Sequence, residues 1–129
     1  MGQRQEKAIG AAIGAIFSER NGGGLCCTIE TVNADGQDVA IQVMQHSINI
    51  APYPFSEEPL SRLERNGVMP RLGDPELELV DWDTNIYAQV GTGALDARKV
   101  AELVDLTFVK LLSCDDASYA ITASTEDLG

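Results

Sequence analysis

Apolar residues recur at three- and four-residue spacing over residues 3–20: Ile9, Ala12, Ile13, Ile16 and Phe17, with Arg4, Glu6, Lys7, Glu19 and Arg20 towards the ends. That spacing predicts an amphipathic helix. Gly10 and Gly14 each weaken it by about 1 kcal/mol relative to alanine. Lying four residues apart beside Ala11 and Ala15, they also leave room for another backbone to approach. Asn21 followed by Gly22, Gly23 and Gly24 ends the helix, because glycine takes the left-handed cap without strain. The period then changes to two. Leu25, Cys27 and Ile29 alternate with Cys26, Thr28 and Glu30, which predicts a strand from Leu25 to Val32. Asn33-Ala34-Asp35-Gly36 has turn composition. Val39, Ile41 and Val43 alternate with Ala40, Gln42 and Met44 in a second strand. A turn at Gln45-His46 leads to a third, Ser47 to Ala51, carrying Ile48 and Ile50. Short connections make these an antiparallel meander.

Pro52, Pro54 and Pro59 interrupt the sheet. Glu58 to Asn66 predicts a short helix around Leu60 and Leu63, stopped by Gly67. Val68 to Asp74 reads as a loop. Glu76-Leu77-Glu78-Leu79 alternates as a strand, Asp81-Trp82-Asp83-Thr84 reads as a hairpin connection, and Asn85 to Val90 as its partner. The helix from Asp96 to Ser113 has one apolar stripe of Val100, Leu103, Val104, Thr107, Phe108 and Leu111, with charges mostly off it. A last short strand fits Tyr119 to Ala123, before an acidic end at Glu126 and Asp127 that frays. These elements describe an α+β domain over residues 1–129. Its antiparallel sheet is five-stranded, with helices packed on one face and the order α-β-β-β-α-β-β-α, plus the possible extra strand.

Length and charge narrow the function. The 129 residues suit one domain and bury enough surface to need no metal or disulfide. An apolar share of 44% excludes a disordered chain. No apolar run reaches the roughly 18 residues of a membrane span, and no signal-peptide core is present. The formal net charge is −11. No Lys or Arg lies between Arg20 and Arg62 or between Arg71 and Arg98, while Asp74, Glu76, Glu78, Asp81, Asp83 and Asp96 fall in the second interval. Phosphate backbones call for the opposite sign, so direct nucleic-acid binding is disfavoured. Cys26, Cys27 and Cys114 form a poor disulfide framework, and the simpler setting is reduced and cytoplasmic.

Candidate chemistry is thin. Zinc needs about four ligands in paired spacings; there is no CxxC, and His46 stands alone. Asp74, Glu76 and Glu78 lack the alternating loop and closing glutamate of a calcium site. Asp81 and Asp83 flank Trp82 as glycosidase carboxylates could, but acidic turn residues are usually solvated. His46 is the only imidazole and sits in a predicted turn, with no base held against a nucleophile. Gly91-Thr92-Gly93 follows a strand and precedes a helix, the context of a dinucleotide loop. Asp96 stands where the third glycine belongs, and reads better as the helix N-cap. The sequence thus points to a protein without catalysis, cofactor or metal. Among the aromatics, Tyr53 and Phe55 lie in the proline-rich exit as candidate exposed anchors. Trp82 is either a lid on the core or an interface residue.

In the order of its elements the chain resembles the class I type III secretion chaperone fold, seen also in YbjN-like proteins and other bacterial chaperone-like domains. The likeness is carried by small size, low isoelectric point, element order and a local pattern. That pattern is VAIQVMQHSINIA, then Leu60-Ser61-Arg62-Leu63-Glu64-Arg65-Asn66-Gly67, the Asp81-Trp82 region and the late helix VAELVDLTFVKLL. A strand at Tyr119 to Ala123 departs from the family. The resemblance implies a homodimer without enzymatic activity that holds an extended partner segment against apolar patches. It places Ile41, Val43, Ile48 and Ile50 in core or groove, and Trp82, Ile86 and Tyr87 near the dimer seam.

Three functions follow as expectations. The first is a protein-binding module that holds a partner segment on an apolar groove. The second is an acidic antagonist that occupies a basic nucleic-acid site on its target. The third is a small-ligand binder using Gly91-Thr92-Gly93. Homodimerisation is also expected from apolar residues on both strand parities, Cys26, Val32, Ala40 and Met44 standing opposite the inward set, because an open apolar face seeks a partner.

Overall fold

The alternating Ile and Val positions of the first half build the centre of an antiparallel sheet, and the apolar stripes of the helices close over one side of it. The structure is a computed structural model and describes residues 3–17, 24–73, 76–93, 95–114 and 120–127. In chain order the elements are α1 (Gln3–Ile13), β1 (Leu25–Val32), β2 (Asp38–Val43), β3 (Ser47–Ala51), α2 (Pro59–Arg65), α3 (Val68–Arg71), β4 (Glu78–Asp83), β5 (Tyr87–Gly91), α4 (Ala97–Leu106) and β6 (Thr122–Asp127). A 3₁₀ turn, Gly14–Phe17, extends α1, and a π turn, Thr107–Leu111, extends α4. The strand order across the sheet is β4-β5-β3-β2-β1-β6, and every neighbouring pair is antiparallel.

The fold class is therefore α+β with an antiparallel sheet, but six strands replace the expected five. The sixth is β6, which includes Glu126 and Asp127, read from sequence as a frayed end. It carries no large apolar side chain, and its backbone ladder to β1 holds it in place. Tyr119, Asp74 and the residues 18–23 that were to end the first helix lie outside the described residues. Val68–Arg71, read as loop, is a single helical turn entered through Gly67 at φ 83°. Asp81, Trp82 and Asp83 belong to β4, and the turn lies at Thr84-Asn85-Ile86. Asn85 takes the left-handed conformation there (φ 68°), which asparagine tolerates.

Cross-strand register sorts the side chains into two faces. Towards the helices run the rows Thr125–Cys27–Val43–Ile48–Val90–Leu79 and Ala123–Ile29–Ile41–Ile50–Ala88–Trp82. From Cys27 to Val90 and from Ile29 to Ala88 these rows are fully buried. They join Ile9, Ile13 and Ile16 of the N-terminal helix and Val100, Leu103, Val104 and Phe108 of the C-terminal one in one core. Gly10 is the close approach between these helices: a Cβ there would sit 3.8 Å from that of Ala101. On β6 the helix-facing Ala123 and Thr125 stay exposed, although α1 approaches that strand.

Candidate functional site

The other face of the sheet differs from the open apolar surface that strand parity suggested. One row crosses all six strands as Ser124–Thr28–Gln42–Asn49–Gln89–Asp81. Its amides are linked: Gln42 Nε2 donates to Thr28 Oγ1 at 3.5 Å and Asn49 Nδ2 donates to Gln42 Oε1 at 3.2 Å. Gln89 Nε2 donates to Ser47 Oγ at 3.4 Å. The apolar residues of this parity sit to either side of that polar row. The part of the dimer expectation that relied on a continuous apolar face therefore loses its basis.

The charge on this face has one sign. Glu30, Asp38, Glu78, Asp81, Asp83 and Glu126 all share the outward parity, and no strand of the sheet contains Lys or Arg. The described bases lie in the helical layer, where Arg62 and Arg65 pair with Glu57 and Lys99 with Glu102.

At the β1–β2 turn end this face sinks into a cleft of about 810 Å³. Its floor is a row of short side chains and one acid, Thr122–Glu30–Ala40–Ala51, drawn from four strands. Val32 forms an aliphatic wall, Ile121 lines the cleft while packing against the core, and Asp38 stands at the rim opposite Val32. The adjoining turn is held by Asn33, only 8% exposed. Its Nδ2 donates to Leu112 O at 3.0 Å and to Gln37 Oε1 at 3.2 Å, and its Oδ1 accepts from the Asp35 and Gln37 amides. Thr31 Oγ1 donates to Ala120 O, tying the start of β6 to the cleft. Of the cleft-forming residues, Val32 and Ala40 entered the sequence reading only as part of an apolar face for a second copy; the cleft itself was not read, because the row exists only through register across four strands. The one legible signal was the absence of bases between Arg20 and Arg62.

The residues that were singled out fall elsewhere. Ile41, Val43, Ile48 and Ile50 are core. Tyr53, expected as an exposed anchor, is fully buried, because its hydroxyl donates to Glu57 O at 2.6 Å and its ring meets Phe55 and Trp82 edge-on at 5.2 and 5.8 Å. Burial pushes its phenol up to about 12; the Arg62 charge opposes this and Glu57 and Glu58 add to it. Phe55 is half-buried under the Arg62 guanidinium, 4.0 Å from its ring centroid. Trp82 is thus a lid on Tyr53. Ile86 is exposed, and the Tyr87 hydroxyl donates to Asp81, a bond that raises its pKa above the usual phenol value.

Gly91-Thr92-Gly93 does structural work. A Cβ at Gly91 would lie 3.4 Å from Glu78 Cβ and 3.7 Å from Val80, where β4 bulges between Leu79 and Asp81. Gly93 takes φ 57°. Thr92 is buried with its hydroxyl unpartnered, and its amide donates to His46 O at 2.8 Å. Asp96 caps α4 by accepting from the Lys99 amide at 2.9 Å, as the sequence indicated. His46 is exposed in the β2–β3 turn. The three cysteines are free and buried. Burial pushes the Cys114 thiol up to about 11, helped by the Asp105 charge; burial likewise raises Cys26, helped by Cys27 and Glu126. Among the described residues no His/Cys/Asp/Glu group is placed to hold a metal, and no helix is long and apolar enough to cross a membrane. No family model matches the chain, and neither a curated protein nor a solved structure is similar to it.

Proposed function

We propose that this chain is a non-catalytic protein-binding module that receives a basic segment of a partner protein on the outer face of its sheet. The observation that carries the reading is the segregation of charge: six outward carboxylates on strands that hold no base. A face of one sign raises the local concentration of oppositely charged partners and speeds their encounter. The polar row through its centre supplies hydrogen-bonding groups without a dry apolar surface, which suits a soluble, exchanging complex. The secretion-chaperone resemblance points to the same class of activity, a held partner segment. It differs in chemistry, since Ile41, Val43, Ile48 and Ile50 are core here and the available surface is anionic.

A pair of synthetic peptides, one alternating lysine with leucine and one alternating glutamate with leucine, tests this by calorimetry. The lysine peptide binds, and its affinity falls steeply as salt is raised from about 0.05 to about 0.5 M, where screening is short-ranged. The glutamate peptide does not bind. Equal binding of both, or no binding of the lysine peptide at low salt, overturns the proposal.

A further inference from the structure

Resting on that reading, we infer that the cleft at the β1–β2 end is the side-chain pocket of the face, built for a lysine or arginine within an extended segment of the partner protein. A long basic side chain has two parts with opposite needs, an aliphatic stem that gains from apolar contact and a charged head that must find an anion. The cleft offers both. Ala40 and Ala51 leave depth in the floor, and the exposed Val32 supplies an aliphatic wall. Val32 is 53% exposed, one of three large apolar residues among the described residues that are more than half exposed, so the fold itself makes little use of it.

The polar groups of the cleft are sorted as clearly. The Asn33 amide is spent on Gln37, Leu112 and two backbone amides, and the Thr31 hydroxyl on Ala120. The carboxylates of Glu30 and Asp38 accept no hydrogen bond and form no ion pair among the described residues. What remains for a ligand is negative charge beside aliphatic surface. A phosphate or carboxylate ligand is repelled. A wholly apolar segment would cover two carboxylates without a partner, which is costly. The volume of about 810 Å³ exceeds what one side chain fills, so the residues next to the base lie in the cleft too.

The test compares three variants with the parent chain, using the lysine–leucine peptide and an equilibrium dissociation constant. Glu30→Gln with Asp38→Asn removes charge and keeps shape; Ala40→Phe fills the floor and keeps charge. Glu78→Gln with Asp83→Asn removes two of the three outward charges of the far edge, three strand spacings (~14 Å) away from β2 and beyond the roughly 8 Å Debye length at physiological salt. Both cleft variants weaken binding about tenfold, and the far-edge pair changes it less than about twofold. If the far-edge pair weakens binding as much as the cleft pair, attraction is spread over the face; the pocket is then wrong and the proposed function stands. If the cleft variants fold and bind like the parent chain, the pocket is likewise wrong. If the parent chain binds no basic peptide, the proposed function fails and the pocket with it. Should Ala40→Phe fail to fold, by circular dichroism, the charge pair decides alone.

Discussion

Asn33 is the polar side chain on which the cleft end of the sheet depends. Its amide group bridges the β1–β2 turn and the Leu112 carbonyl that follows the C-terminal helix. Asn33→Ala leaves the Leu112 carbonyl and two turn amides without that partner, so urea unfolding registers a loss of about 1–3 kcal/mol. A loss below about 0.5 kcal/mol means water replaces the amide. The buried thiol and phenol set the alkaline limit. An unfolded cysteine releases its proton near pH 9 and Cys114 in the fold near about 11; for Tyr53 the pair is 10 and about 12. Both folded values are raised, so the stability they contribute is fully present below pH 9. It is lost as pH climbs through the 9–12 window, where the unfolded chain gives up protons first. Urea midpoints measured from pH 7 to 11 are flat to about 9 and then fall, and Cys114→Ala flattens the first part of the fall. A midpoint that rises across that window contradicts the assignment.

Elements whose side chains decide their place were legible, and elements placed by backbone or register were not. Ile29, Ile41, Ile48 and Ile50 alternate because one face of β1 to β3 is core, and hydropathy reads that directly. Asp96 announced itself as a cap by residue type and position. By contrast, Asp81-Trp82-Asp83 has the composition of a turn, yet Trp82 faces inward to Tyr53 while both aspartates face out. Strand β6 has no apolar signal, since its neighbour supplies only main-chain hydrogen bonds. Gly91 and Gly93 have the spacing of a phosphate loop, and Asp96 in place of the third glycine argued against one; the bulge contact at Gly91 and the left-handed turn at Gly93 were not legible. Substitution separates the two glycines. Gly91→Ala meets ordinary van der Waals contact and changes stability by less than about 0.5 kcal/mol. Gly93→Ala puts a Cβ at φ 57° and costs about 1 kcal/mol. Chemical denaturation of the two variants checks this, and equal costs contradict it.

At the scale of the molecule the described bases lie outside the strands and the strands carry acids alone, so six carboxylates gather on the outward sheet face with no strand base to oppose them. The missing bases in two stretches of sequence were visible beforehand; their convergence on one surface needed the strand order. Repulsion among Glu78, Asp81 and Asp83 on the β4 edge weakens as salt screens it. The thermal midpoint therefore rises by a few degrees between about 0.05 and about 0.5 M sodium chloride, and a fall contradicts the charge distribution. The same distribution determines where a basic segment docks, and amide chemical-shift mapping during titration with the lysine–leucine peptide reads that site directly. Shifts concentrated at Thr28, Glu30, Ala40, Gln42, Asn49 and Ala51 are expected. Shifts concentrated on the helical layer at Arg62, Arg65 and Lys99, or none at saturating peptide, contradict a sheet-face receptor for basic segments.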